Sequence, residues 1–198
     1  QEFGLHPYAY TADPGLKTRL LPPGDFGTDA LTDKAIAFLR ARAGRPFHLQ
    51  LSHYFVHDPI HSRAAWLVEK YRARLPAGSD PRRAEFAAMV ETLDHHVGRL
   101  LAVLDELGLA ANTLVVFTSD NGGPTQHGAS NLPLRGGKGS TYEGGMRTCT
   151  IAWQPSVIPA GSEVDEITGM IDILPTLTKL AGGKIPSDRT VDGGNVPW

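Results

Sequence analysis

From Phe86 onward, Met89, Val90, Leu93, Val97, Leu100, Leu101, Leu104 and Leu107 recur at helical spacing until Gly108, and the apolar segment "TLVVFTSD" follows. This succession of a long amphipathic helix and a short apolar strand limits the fold more than any other feature. An apolar strand needs neighbours to pair with and helices to cover it, so the chain is expected to be α/β. Asp80 before Pro81 is a strong start signal for the long helix.

The remaining signals fit that class. In "TDALTDKAIAFLRARAG", Thr28 or Asp29 can cap a helix whose stripe is Leu31, Ala35, Phe38 and Leu39, with Gly44 suited to its end. In "FHLQLSHYFVH", Phe47, Leu49 and Leu51 alternate with His48, Gln50 and Ser52, which predicts a strand. A further strand is expected in "TCTIAWQP", and a last helix in "GMIDILPTLTKLAGG", broken or begun near Pro175. The opening stretch through Gly27 has turn residues and no period, and is expected to be irregular. The sheet is expected to be central and mostly parallel. In such sheets ligands bind beyond the carboxyl ends of the strands. Both "FHLQLSHYFVH" and "TLVVFTSDNGG" run from apolar to polar, so their polar ends are expected to meet on that edge.

Composition removes several function classes. A net charge of -2 over 198 residues gives no reason to expect nucleic acid or a membrane surface as partner. No apolar run is long enough to span a bilayer. The single Cys149 excludes an internal disulfide and a Cys-rich zinc site, and it is expected to be a small core residue.

Three local features carry chemistry. Asp120 and Asn121 end an apolar run and precede Gly122 and Gly123; they are hard oxygen donors suited to Ca²⁺ or Mg²⁺, or alternatively an Asx-turn closing the strand. His57, in "YFVHDPIHSR", is placed to move a proton at a leaving group, or else is a surface histidine. His53, His57 and His61 have the spacing of a helical zinc face, which Pro59 and the strand pattern argue against. Lys138 stands in "LRGGKGSTYEGGMR" between Arg135 and Arg147, an oxyanion binder or a basic surface loop; the spacing is not that of a P-loop. A divalent ion, a lysine and a histidine together suit a tetrahedral anionic ester, sulfate or phosphate. Gln126, His127 and His61 either line a pocket for the alcohol or lie in solvated loops.

The blocks "PFHLQLSHYFVHDPIHS", "MVETLDHHVGRLLAVLDELGL", "FTSDNGG", "LPLRGGKGSTYEGGMR" and "MIDILPTLTKLAG", in this order, resemble a type I sulfatase from about Gly24 onward. The resemblance implies an alkaline-phosphatase-like fold, a mostly parallel but mixed sheet flanked by helices. It implies Asp120 and Asn121 as calcium ligands, Lys138 as a contact to the sulfate ester, and His57 as a histidine beside the leaving-group oxygen. The substrate would be a small-molecule or carbohydrate sulfate ester, and the location periplasmic, secreted or lysosomal.

The family's nucleophile is a formylglycine made from a Cys/Ser-x-Pro-Ser-Arg motif, which has no counterpart here. The adjacent aspartates that complete the calcium shell are also lacking. Residues 1–198 are therefore expected to be a partial catalytic domain, incomplete at the N-terminus, without the nucleophile segment and the small C-terminal domain, and inactive alone. A phosphodiesterase or phosphonate monoester hydrolase of the same superfamily, and a non-catalytic domain that binds sulfated ligands, are the alternatives.

Overall fold

Residues 20–196 are described in the computed structural model, so most of the opening stretch expected to be irregular, up to residue 19, lies outside them. The chain divides into two compact units, one holding 20–110 with 121–147, the other 111–120 with 148–196.

The first unit is helical. Helix α1 spans Ala30–Arg42, and its N-cap is Asp29, whose carboxylate accepts from the Thr32 amide at 2.9 Å. Its buried face is Thr32, Ala35 and Leu39, close to the predicted stripe. Helix α2 spans Ala65–Arg72 and α3 spans Arg82–Glu106. Asp80 starts α3 as expected, its carboxylate accepting from the Arg82 amide at 2.9 Å. Both α1 and α2 pack on α3.

The core between α2 and α3 is made of Ala64, Leu67, Val68, Ala84 and Ala88, with Phe26, Trp66 and Tyr71 against it. The alanines of α3 matter here, since small side chains let the two helix backbones approach. Polar ties flank this packing: Lys70 to Glu91 at 2.6 Å between α2 and α3, and Arg99 to Asp33 at 2.6 Å between α3 and α1. Helix α2 was not anticipated. Its apolar residues Leu67, Val68 and Tyr71 fill barely one period, and it has no side-chain cap to announce it.

The predicted strand "FHLQLSHYFVH" is a correction. Residues 46–54 carry no assigned secondary structure and join no ladder. Alternation marks a chain able to be a strand, but a strand exists only when its N–H and C=O groups find a partner strand. The expected meeting of two strand ends is therefore not built from this segment.

The second unit carries the sheet. Strand β1, Val115–Thr118, pairs antiparallel with β2, Thr150–Trp153, in a register from Val115 opposite Trp153 to Thr118 opposite Thr150. The Thr118 and Thr150 hydroxyls meet at 2.9 Å, a cross-strand pair closing that end. Among the described residues these two antiparallel strands are the whole sheet, and the mostly parallel pairing expected is not found among them.

The short helix α4, Glu143–Met146, belongs to the first unit. The last, α5, spans Ile173–Leu180 with Pro175 in its first turn, where a missing N–H costs no hydrogen bond. Before it, Asp172 accepts from the amides of Gly169 at 2.7 Å and Gly194 at 2.6 Å, bonds that hold its carboxyl below the usual carboxylate range. Cys149 is exposed, against expectation. It precedes β2, where a two-stranded sheet offers no layer to bury it; Ile151 next along is itself 59% exposed.

Candidate active site

Twelve residues, 124–135, separate the blocks "SDNGG" and "GGKGSTYEGG", and within the first unit the structure joins residues 121–147 into one backbone frame. Gly122 donates to the Gly145 carbonyl at 3.0 Å, Lys138 donates its amide to the Gly123 carbonyl at 3.2 Å, and Gly144 donates to the Arg135 carbonyl at 2.8 Å. Asn131 braces the frame from inside. Its amide accepts from Gly123 N–H at 2.8 Å and donates to the carbonyls of Gly123 at 2.8 Å and Gly136 at 3.1 Å. A carboxamide has the donor and acceptor of a peptide group, so Asn131 acts as a one-residue strand between the two blocks.

This closeness explains the glycines. A Cβ on Gly122 would overlap the Gly144 carbonyl, and one on Gly144 would overlap the Gly136 carbonyl. Backbone contacts of that kind leave no room for a side chain to shift aside.

The frame mounts Lys138. The lysine is exposed, and among the described residues no carboxylate forms an ion pair with it. Its two basic neighbours are engaged. Arg135 stacks 3.9 Å from the centroid of the Tyr142 ring, and Arg147 lies 3.9 Å from Glu143. Of the three cations foreseen around this loop, Lys138 is therefore the one with neither an ion pair nor a ring contact among the described residues.

His57 is exposed, with Nδ1 3.3 Å from the carbonyl oxygen of Asp58. Asn121 donates its Nδ2 to the Gly122 carbonyl at 3.0 Å. Asp120, in the second unit, is exposed past the end of β1. A carboxylate and an amide oxygen fit calcium in kind. They do not fit it in number, since Ca²⁺ takes six to eight oxygens. Among the described residues no three His, Cys, Asp or Glu side chains converge as a metal site, and the zinc face of His53, His57 and His61 is not formed.

His53 is partly buried, its Nδ1 enclosed 3.6 Å from Asp29 Oδ2, too long for a hydrogen bond, and that nitrogen has no hydrogen-bond partner. His96, 1% exposed, lies near Phe55. Burial holds both imidazoles below their ordinary value, with Asp29 opposing the shift. For Asp29 itself burial raises the carboxyl, but the Thr32 hydrogen bonds and the two imidazoles outweigh it and leave it below the usual range. His61 lines a cavity of about 300 Å³ with Phe26, Tyr54, Phe55, Met89 and His96, a lining that includes neither His57 nor Lys138.

Two features escaped the sequence. Asn131 had no signal beyond its place in a turn-rich segment. The contact between His127 Nδ1 and Asp58 Oδ1, at 2.6 Å, joins segments far apart in sequence; only the position of Asp58 beside His57 hinted at it.

A family model described as Sulfatase matches residues 4–183. The chain is 41% identical over 185 residues to the steryl-sulfatase of Mus musculus, covering 88% of this chain and 28% of that protein. It is 36% identical over 172 residues to the N-acetylgalactosamine-6-sulfatase of Mus musculus, covering 84% of this chain and 31% of that protein. Among solved structures, Ps i-CgsB in complex with k-i-k-neocarrahexaose superposes with a TM-score of 0.76 at 36% identity, over 84% of this chain and 36% of that chain. The chain thus spans less than a third of the length of these two curated relatives. By the extent of the match and by the fold it shares, the chain belongs to the sulfatase family.

Proposed function

We propose that this chain supplies the anion-binding and leaving-group half of a sulfate ester hydrolase. The observation that carries the proposal is the frame of residues 121–147, which fixes the backbone of Lys138 to Gly123 and presents the ammonium to solvent. In this role Lys138 binds the ester's anionic oxygens and stabilises the charge that grows on them in the transition state. His57 holds or delivers the proton needed by the departing alcohol oxygen. Asp120 and Asn121, consecutive in sequence, serve as two oxygen ligands to calcium, the rest of the shell and the formylglycine nucleophile coming from outside these residues. Bound calcium supplies positive charge that polarises the ester. The substrate is a small-molecule or carbohydrate sulfate ester. By family habit the full-length protein works in the periplasm, in a lysosome or as a secreted enzyme; no helix among the described residues is long and apolar enough to cross a membrane.

The test is hydrolysis of 4-nitrophenyl sulfate by the full-length protein, with calcium and with a chelator. Lys138→Ala is expected to lower kcat/KM by about 10²–10³-fold, the effect of removing one oxyanion donor. Asp120→Ala is expected to abolish the calcium response. Wild-type rates in the lysine variant return the loop to an ordinary basic surface, and an unchanged calcium response removes Asp120 from the metal. A preference for an aryl phosphate diester over the sulfate moves the protein to the phosphodiesterase branch.

A further inference from the structure

Asp58 touches two imidazoles at once. Its backbone carbonyl lies 3.3 Å from Nδ1 of His57, and its carboxylate Oδ1 lies 2.6 Å from Nδ1 of His127. Both rings are thus engaged through Nδ1 by a single residue, which leaves Nε2 of His127 as the nitrogen for a ligand. The turn carrying His127, Thr125–His127, is also fixed from behind. Arg82, held by Asp80 at 2.7 Å, donates Nη1 to the Gln126 carbonyl at 2.6 Å. Gly128 follows at φ 96°, and a Cβ there would lie 2.7 Å from the Arg82 backbone, so the turn sits against the start of α3.

Such restraint contributes little to stability. The side chains of His127 and Asp58 are 34% and 47% exposed, and a pair in that setting contributes on the order of 1 kcal/mol or less to stability. What the contacts achieve is direction. They hold a half-exposed imidazole, one rotamer and one turn, against the loop that carries Asp58 and His57. A directed imidazole nitrogen backed by a carboxylate is suited to hydrogen-bond a hydroxyl and has nothing to offer a hydrocarbon ring.

We infer that His127, positioned by Asp58, is a specificity residue for the alcohol half of the ester, selecting a hydroxyl-rich, carbohydrate leaving group over an apolar one. This rests on the sulfatase reading above and adds the class of alcohol. His127 binds a hydroxyl of the sugar ring while His57 attends the leaving oxygen.

The experiment compares kcat/KM of the full-length protein on galactose 6-sulfate and on 4-nitrophenyl sulfate. His127→Ala is expected to lower the sugar-to-aryl ratio about 10–100-fold, mainly through KM on the sugar, the loss of one hydrogen bond to a polarised group. His127→Gln, which keeps a polar atom near the Nε2 position, is expected to recover part of the ratio. Asp58→Asn is expected to lower it by a smaller factor. An unchanged ratio, or parallel losses on both substrates at an unchanged melting temperature, overturns the proposal. A wild type that cleaves the aryl ester but not the sugar overturns it alone and leaves the sulfatase reading standing. A wild type inactive on every sulfate ester overturns both. Should His127→Ala fail to fold, the glutamine and asparagine variants carry the same comparison.

Discussion

The helical unit and the strand-bearing unit treat apolar surface in opposite ways. Around α3, Leu67, Ala84 and Ala88 are fully buried, whereas in the strand-bearing unit Ile151, Ile167 and Leu174 are 59%, 100% and 69% exposed. The contrast follows from where each element finds its hydrogen bonds. A helix satisfies its backbone internally and then needs only a neighbour for one stripe. A strand depends on other strands on both edges and on a layer over each face, and here β1 and β2 have only each other among the described residues. The difference teaches that one part of a chain can close its own core while another part leaves large apolar side chains exposed.

The largest expected effect tests that contrast directly. Leu67→Ala empties a fully buried site and should cost about 2–5 kcal/mol of unfolding free energy, whereas Leu174→Ala, mostly exposed already, should cost roughly 0.5 kcal/mol or less. Urea denaturation of both variants decides; equal losses would break the comparison.

A smaller effect is expected at the start of α1. Asp29→Ala removes the cap of the Thr32 amide and the carboxylate beside His53, and should cost about 1–2 kcal/mol by the same measurement. Wild-type stability would mean that α1 needs no cap because tertiary packing alone holds it.

The mildest perturbation is acid. His53 and His96 lie below their ordinary value in the folded state, so the unfolded chain binds protons first as pH falls. Their contribution is whole above about pH 6.5, the ordinary imidazole value, and is lost progressively below it as pH approaches their depressed values. Asp29, also below its ordinary value, adds a second loss at lower pH, beneath the usual carboxylate range. The sheet segments 111–120 and 148–196 contain no histidine. Melting curves between pH 7.5 and 5, with hydrogen exchange to locate the loss, should therefore show the helical unit weakening first. Uniform weakening across both units would sink this assignment.

The same contrast governs how much could be read from the sequence. α1 and α3 were legible because Asp29, Asp80 and Pro81 mark their starts and their stripes run for several turns. The strands β1 and β2 were legible as apolar runs bounded by turn residues. The segment 47–57 misled, since Phe47, Leu49 and Leu51 alternate as a strand does while the deciding fact is whether a partner lies alongside, which no local pattern records. α2 was missed because its period is too short to stand out, and Cys149 was misplaced because burial of a small residue depends on layers that sequence does not show.

In the candidate site, Lys138, His57, Asp120 and Asn121 stood out as residue types in motifs. Asn131 and the pairing of Asp58 with His127 did not, since both depend on segments brought together only by the fold.

The glycine frame has one further consequence, which concerns entropy. An anion-binding loop that is loose before its ligand arrives must be ordered at a cost of roughly 1–2 kcal/mol for each backbone residue fixed. Here the backbone bonds among Gly122, Gly123, Arg135, Lys138, Gly144 and Gly145, with Asn131 between them, have already fixed that path. Only the rotors of the lysine side chain remain to be stilled, at about 1.5–2 kcal/mol. For the anion contact proposed at Lys138, crowding so many residues without side chains into one segment would leave most of the attraction between ammonium and anion available as affinity.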